Sequence, residues 1–442
     1  MSELRLAQST AVSVISQRNQ LLLADVGAGK TATVLRAIRA RRLVQGRKRV
    51  LVVGTKRICN MVWGQEIEIW TPELSYASVA GASPSARAAF MENQFVDIVA
   101  INYDNLIWAC EHFGDQLPVM FPWLVVDESS KLENPASKSF RAIKPLLEKF
   151  EWRLPMTGTP RANHLYDIWG NAYLADLGEA LGQYREAFLQ RWFWPLRRQI
   201  GVDWIPKAGA EEEIYKRLGK TVHRMPFKQK KAVEIDVLLP LNPEVKTIQG
   251  LIDASIKLEE KVTYVNGITY ARNGHRVNAK LLQLSSGIVY ADNADPIWLH
   301  NDKLDALGEI VAEANGEPMM VVFQFDHERD AILRRFPQAR LLDTDATLLE
   351  WNESKVEIML VHPLSCGHGL NAQFSHSSLQ VWYTPTSDAE LYTQTIGRLN
   401  RPGNPNTVRV VRLIMKGTKD MAAYMVVEAR QRGEHATLEM FE

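Results

Sequence analysis

The sequence predicts an α/β protein of two successive units, each a parallel sheet covered by helices on both faces, with a mostly helical stretch between them. Three observations predict it. Short apolar runs rich in β-formers alternate with helix-like segments over the first ~170 residues, and the alternation returns over the last ~130. Between the two sets the pattern turns helical and irregular. The length, 442 residues, exceeds what one ordinary core holds.

The first set of candidate strands covers 21–24, 50–53, 96–101, 123–126 and 153–156. The second covers 319–323, 356–361, 379–382 and 408–414. The expected organisation is a first lobe over 1–170, a helical insertion over 171–235 and a second lobe over 236–442. That second lobe has a helical lead-in over 236–310 and a core over 311–442. Trp192, Phe193 and Trp194 read as the apolar core of the insertion rather than as a base-stacking platform.

Hydrophobic residues at 46% and charged residues at 23% are ordinary for a globular protein. The formal net charge is +1, so a nucleic-acid partner requires positive charge gathered locally. Cys59, Cys110 and Cys366 stand far apart without a C-x-x-C pair, which argues against a zinc site or a disulfide framework. No apolar signal segment opens the chain, and no run approaches the ~18 apolar residues a membrane span needs. The expectation is a cytoplasmic protein, or a nuclear one if the source has a nucleus, without a membrane partner.

The strongest motif is Leu21-Leu22-Leu23-Ala24-Asp25-Val26-Gly27-Ala28-Gly29-Lys30-Thr31. An apolar strand enters a small glycine-containing loop, and a helix-like stretch follows. This is the context of a phosphate-binding loop. Gly27 and Gly29, with Ala28 between them, let backbone N–H groups curl round phosphate oxygens. The helix N-terminus adds a positive dipole end. Lys30 would reach the β- and γ-phosphates of a bound nucleotide, and the Thr31 hydroxyl would ligate Mg2+. A small-molecule kinase would begin the same way.

A second strand end carries Asp127 and Glu128, 97 and 98 positions after Lys30. Asp127 is placed to hold Mg2+, and Glu128 to orient and deprotonate the attacking water. A third strand end carries Thr157-Gly158-Thr159-Pro160, where hydroxyls could bond the acidic pair. Far downstream, Arg398 and Arg401 are three apart and share a helical face. Two guanidinium groups suit a triphosphate whose charge shifts during cleavage, and their position suggests arginine fingers from another lobe. The loop Ser365-Cys366-Gly367-His368-Gly369-Leu370-Asn371 follows a strand and can approach a phosphate backbone; Cys366 and His368 lack further metal ligands nearby.

Read together, these pieces resemble superfamily-two helicases, and more narrowly the Swi/Snf-like DNA translocases, over nearly the whole chain. Gln8, 22 positions before Lys30, looks like that family's adenine-reading glutamine. Val50 to Lys56 with Trp63, Glu66 and Trp70 is similar to its second motif, and Asn102-Tyr103-Asp104 to its next strand-end motif. Thr157 to Asn163, then Leu165, Asp167 and Trp169, is close to the Swi/Snf version, as is Val322-Phe323-Gln324-Phe325. Gly369-Leu370-Asn371 and the set Gln394, Gly397, Arg398, Arg401 and Gly403 match the last two motifs. Two departures stand out. Ser129-Ser130 replaces the family's Ala-His, and Asn404 stands where Gln is usual.

The resemblance implies two tandem RecA-like lobes, ATP and Mg2+ as cofactors, and ATP-driven stepping along double-stranded DNA. It implies catalytic roles for Lys30, Asp127, Glu128, Gln394, Arg398 and Arg401. Contacts to the nucleic-acid backbone fall to Lys56, Asn102, Thr157, Gly158, Gly369 and Asn371. Backbone contacts carry little sequence information, so weak sequence specificity is expected. The chain shows no accessory module outside the lobes and the insertion, as in compact phage or bacterial members; a phage source would place it in the host cytoplasm. Two other readings stay open: a helicase that separates DNA or RNA strands, single-stranded DNA or RNA then being the partner, and a nucleic-acid-binding module with a degenerate ATPase. The intact lysine, acids and arginines argue against the last.

Two basic groups are candidate grooves. Arg36, Arg39, Arg41, Arg42, Arg47, Lys48 and Arg49 read as a solvated helix end. Lys216, Arg217, Lys220, Arg224, Lys228, Lys230 and Lys231 could either brace moving lobes or touch a duplex.

Overall fold

A computed structural model of the chain describes all residues except 1–2, 26, 159–163, 198–201, 228–229, 258–261, 266–267, 272–273, 291–294, 367–370 and 440–442. The chain forms two compact units, Met1–Lys228 with Arg432–Glu442, and Gln229–Gln431.

The first unit is built on β1 (Leu21–Ala24), β2 (Val50–Gly54), β3 (Tyr76–Ser78), β4 (Ile98–Asn102), β5 (Trp123–Asp127), β6 (Trp152–Thr157) and a strand from its far end, Val222–Met225. Between β6 and that last strand a separate antiparallel hairpin pairs β7 (Phe193–Arg197) with β8 (Val202–Pro206), which makes Val222–Met225 β9. The sheet order is β3-β4-β2-β5-β6-β1-β9, every pair parallel. β1, β2, β4, β5 and β6 are buried along their full length, as strands covered on both faces must be. Side chains alternate between two cores. Leu21, Leu23, Leu51, Val53, Leu124 and Val126 pack on one face; Leu22, Ala24, Val50, Val52, Trp123 and Val125 pack on the other.

The second unit holds β10 (Val233–Leu239), two small hairpins, β11 (Val262–Val265) with β12 (Ile268–Ala271) and β13 (Ile288–Tyr290) with β14 (Pro296–Trp298), then β15 (Met319–Val322), β16 (Arg340–Leu341), β17 (Ile358–Val361), β18 (Leu379–Trp382) and β19 (Arg409–Met415). Its sheet runs β10-β19-β18-β15-β17-β16, again wholly parallel. Met320, Val322, Met359 and Val361 face one core; Met319, Val321, Ile358 and Leu360 face the other. Two parallel α/β sheets of this kind are the tandem arrangement expected from the sequence. No helix among the described residues is long and apolar enough to cross a membrane.

Strands β3, β9, β10 and β16 escape a reading by apolar runs. β9 carries His223 and Arg224, and β10 is an edge strand, mostly exposed. An edge strand is recruited by its backbone pairing, so its side chains need not form a continuous apolar run. In the insertion Trp192 and Phe193 are buried, but Trp194 is 62% exposed, with the Lys207 ammonium 4.5 Å from its ring centre.

In the first basic run the helix end itself, 43–47, is exposed as expected, but Arg41 and Arg49 are buried and Arg42 is nearly so. Arg41 donates to the Ser16 carbonyl at 2.8 Å and lies over the Trp123 and Trp152 rings. Arg49 donates to the carbonyls of Val96 and Met91 and lies over Phe121. Arg42 and Arg47 both bond Asp97 Oδ1, at 2.6 and 2.8 Å, while Ser75 donates its N–H and hydroxyl to Oδ2 at 3.0 and 2.9 Å. Burial alone would raise the Asp97 pKa, but these donors outweigh it and hold the carboxyl well below its usual range. A group with a lowered folded-state pKa stabilises the fold above its unfolded pKa of roughly 4, and that contribution fades as the pH falls further. Asp97→Asn is therefore expected to lower stability by about 2 kcal/mol at pH 7. The gap between variant and wild type should narrow as thermal melts are taken from pH 5 to pH 3. A gap independent of pH would remove the charge from this role.

Candidate active site

In a parallel sheet all strand C-termini lie along one edge, where ligands collect. Along this edge the first unit presents the phosphate loop after β1, Lys56 beyond β2, Asn102 at the end of β4, Asp127-Glu128 at the end of β5 and Thr157-Gly158 at the end of β6.

Helix α2 (Lys30–Gln45) starts at Lys30 itself. Gly27 and Gly29 have φ of 78° and 79°, the left-handed region that a side chain resists. Gly29 is constrained twice, since a Cβ there would lie 2.5 Å from Gln8 Nε2. Gln8 sits on helix α1 (Leu6–Ile15), is 5% exposed, and donates from Nε2 to the Gly29 carbonyl at 3.4 Å. Its Oε1 accepts the Arg5 N–H at 2.9 Å. The residue expected to read adenine is thus seated against the phosphate loop. Ala28 is buried, and Thr31 is half-buried in the first turn of α2.

Lys30 Nζ lies 3.7 Å from Glu128 Oε1. Glu128 is not glycine yet has φ of 56°, a conformation costing of order 1 kcal/mol or more. The Tyr103 hydroxyl reaches the carbonyls of both Asp127 and Glu128, at 2.6 and 2.9 Å, and fastens this turn. Asp127 is 4% exposed and accepts the Trp63 indole N–H at 3.0 Å. Burial, then the neighbouring Glu128, push its pKa upward, and Lys30 partly offsets them. A buried carboxylate whose charge is under-compensated fits a divalent cation. Mg2+ is commonly held by one or two carboxylates together with phosphate oxygens. The sequence pointed to Asp127 and Glu128; Trp63 as the partner of Asp127 carries no local sequence signal.

The departure Ser129-Ser130 has a structural counterpart. The Ser129 hydroxyl donates to Asn171 Oδ1 at 2.7 Å, and Asn171 Nδ2 donates to Glu133 Oε2 at 3.0 Å. The acidic turn is tied to the helix Ile168–Asp176, whose Gly170 sits so close to the Glu133 carbonyl that any Cβ would overlap it.

The residues expected to touch nucleic acid differ in access. Lys56 is exposed and its stem lies over Gly81. Asn102 is buried, accepts from Asn105 Nδ2 at 2.6 Å and donates to Asp104 at 3.4 Å. Thr157 is fully buried, and Gly158 follows at the strand end. Gly369 and the stretch Thr159 to Asn163 lie outside the described residues.

In the second unit, Gln394 donates to Glu390 Oε1 at 2.8 Å on the helix Ala389–Ile396. Arg398 is 3% exposed, and Arg401 donates from Nη1 to Asn371 Oδ1 at 3.1 Å. The structure therefore brings together Arg401 and Asn371, from two different sequence motifs. Asn404 donates to the carbonyls of Ser377 and Leu399, at 2.8 and 3.1 Å, a bridging role for the amide at this position.

The family description "SNF2-related domain" matches residues 7–260, more than half of the chain. The chain is 29% identical to "Putative protein p41" of Acyrthosiphon pisum secondary endosymbiont phage 1, over 90% of this chain and 89% of that one. It is 23% identical to "SWI/SNF chromatin-remodeling complex subunit snf22" of Schizosaccharomyces pombe, over 90% of this chain but 25% of that protein. It is 21% identical to an "Uncharacterized ATP-dependent helicase" of Mycoplasma pneumoniae, over 95% of this chain and 40% of that one. The chain thus spans most of the phage protein and well under half of the other two. Against the "Sulfolobus solfataricus SWI2/SNF2 ATPase core in complex with dsDNA" the TM-score is 0.45 at 19% identity, covering 100% of this chain and 94% of that one. With the phosphate loop, the acidic turn and two parallel α/β units in place, the chain belongs to the SNF2-related family and is a superfamily-two ATPase.

Proposed function

We propose that this protein moves along double-stranded DNA, using ATP hydrolysis to open and close its two lobes. The observation that carries the reading is the Lys30–Glu128 pair at 3.7 Å beside buried Asp127, which supports phosphate binding and water activation at one strand edge. Lys30 holds the β- and γ-phosphates, and the N–H groups of Gly27 to Lys30 cradle them. Gln8 reads the adenine. Asp127 and Thr31 hold Mg2+, which neutralises phosphate charge when bound. Glu128 orients the attacking water and takes its proton. Arg398 and Arg401, with Gln394 beside them, stabilise charge on the phosphate being cleaved. Lys56, Asn102, Thr157, Gly158, Gly369 and Asn371 grip the sugar-phosphate backbone; buried Asn102 and Thr157 serve through the backbone amides of their strand ends. Alternating grip by lobes that close on ATP and open after hydrolysis yields net movement. The lobes run over 1–170 and 236–442, with the insertion at 171–235.

The deciding experiment measures ATP turnover with duplex DNA, single-stranded DNA and RNA side by side, then compares triplex displacement with duplex unwinding. Duplex stimulation with triplex displacement is expected. Stimulation confined to single strands, or unwinding without triplex displacement, would replace the translocase reading by a strand-separating one.

Arg401→Ala is expected to reduce turnover by about 10²-fold or more while leaving ATP affinity within a few-fold. Steady-state kinetics beside a binding titration check this. Unchanged turnover would remove Arg401 from the cleavage step.

A further inference from the structure

The phosphate loop contains a carboxylate that neither phosphate binding nor hydrolysis uses. Asp25 lies between β1 and Gly27. Its two oxygens accept from Arg224 Nη2 at 2.8 and 2.9 Å, and Oδ2 also accepts the Phe227 N–H at 2.8 Å. The Arg224 side chain is 6% exposed and that of Asp25 25%. Arg5, just before helix α1, holds Phe227 from a second side. Arg5 places its guanidinium 4.2 Å from the centre of the Phe227 ring and donates to the Ala28 carbonyl. Behind these contacts, β9 runs parallel to β1 with Ala24 opposite Met225, so loop and β9 end are in fixed register.

The position of Phe227 in the chain gives these contacts their meaning. The second unit begins at Gln229, two residues later. The loop that must reshape around a triphosphate is therefore bonded directly through Asp25, and indirectly through Ala28 and Arg5, to the last residues before the chain passes into its other unit. Charge-assisted bonds from one guanidinium to a carboxylate are directional and short, and well suited to transmit a small displacement.

We propose that Asp25 and Arg224 are positioning residues that couple nucleotide occupancy of the phosphate loop to the connector leaving the first unit. The inference rests on the ATPase reading of the loop but not on DNA as the track. With a nucleotide bound, the loop tightens and Asp25 draws Arg224 and Phe227 with it, ordering the start of the connector. Without Arg224 or without the Asp25 charge, the loop still binds nucleotide but the connector no longer responds.

The test uses the full chain and limited trypsin digestion, with cleavage after Lys230 and Lys231 followed by mass spectrometry. Both lysines are exposed at the start of the second unit, where the chain arrives from Phe227; Lys230 Nζ donates to the Pro405 carbonyl at 2.7 Å and its own carbonyl accepts from Asn400 Nδ2 at 2.7 Å, so cleavage there reports release of this segment. Wild type, Arg224→Gln, Arg224→Lys and Asp25→Asn are each digested with and without adenylyl-imidodiphosphate, at concentrations shown to saturate each protein. The nucleotide analogue is expected to slow wild-type cleavage at these sites by about fivefold, since cleavage follows the population of the open connector. The response should shrink to less than about twofold in Arg224→Gln and Asp25→Asn, and return in part in Arg224→Lys. Arg224→Lys and Asp25→Asn keep the proposal testable where Arg224→Gln fails to fold. A clamp that is merely structural would speed cleavage equally with and without nucleotide and leave the ratio intact, which overturns the proposal. So does a wild-type connector indifferent to the analogue. Duplex stimulation of ATP turnover is measured on the same proteins: its absence in wild type, with the nucleotide response present and lost in the variants, would defeat the translocase reading while leaving this coupling in place.

Discussion

Glu128→Gln is expected to keep ATP bound and to cut hydrolysis by about 10²–10⁴-fold, the range usual for loss of a positioned general base. The amide preserves the shape of the carboxylate and its place on the left-handed turn at φ 56°. What it loses is the capacity to take a proton from water. Tyr103 holds the turn through the carbonyls of Asp127 and Glu128, so the backbone is not asked to change. Lys30→Ala differs in kind, because it removes the ammonium that holds phosphate and should lose nucleotide affinity together with turnover. Single-turnover hydrolysis, paired with equilibrium binding of ATP, separates the two. A Glu128→Gln protein that hydrolyses ATP at the wild-type rate would show that another group activates the water.

The second large effect concerns folding. Lys303 Nζ and Asp420 Oδ2 are 2.8 Å apart, with both side chains fully buried. Asp420 also accepts the Ser285 hydroxyl at 2.6 Å and the Met415 N–H at 3.1 Å. The pair joins the helix Asp302–Ala314 to the first turn of the helix Lys419–Glu439 that follows β19. Nearby Glu328 is buried too, and burial pushes its pKa up against the opposing pull of Lys303 and of its own donors. Lys303→Ala leaves Asp420 charged and without its cation in a low-dielectric interior, at an expected cost of about 3–5 kcal/mol. Domain stabilities are typically about 5–15 kcal/mol, so a loss of this size can unfold the unit near physiological temperature. Replacing both partners, as Lys303→Met with Asp420→Leu, should recover part of the loss, because it removes the uncompensated charge. Urea unfolding of the three proteins decides the matter. A cost below about 1 kcal/mol for Lys303→Ala would mean that water or a rearranged side chain reaches Asp420.

The two effects differ in how far the sequence announced them. Glu128 was legible because it follows an apolar strand and stands downstream of a glycine-rich loop ending in Lys30, a local pattern. The Lys303–Asp420 pair was not, since nothing near either residue names a partner more than a hundred positions away. The same holds for Arg41, Arg42, Arg47 and Arg49. As a run they read as a solvated helix end, yet their guanidiniums meet Ser16, Asp97, Met91, Val96 and buried aromatic rings. Charge density along a chain says nothing about which charges the fold turns inward.

The sequence by itself determined the main strands of both sheets, because strands buried on both faces must be apolar throughout. It also determined the phosphate loop, because glycine adopts the left-handed backbone at positions 27 and 29 with little strain, and the acidic turn, because its carboxylates end a buried strand. Only the tertiary structure decided that β9 completes the first sheet, that Trp63 holds Asp127, that Arg401 meets Asn371, and that Asp25 grips Arg224 across 199 residues. Local elements follow from short-range sterics and burial, which a window of residues encodes. Partnerships between distant polar groups exist only once the chain has folded and removed the water that each would otherwise bond.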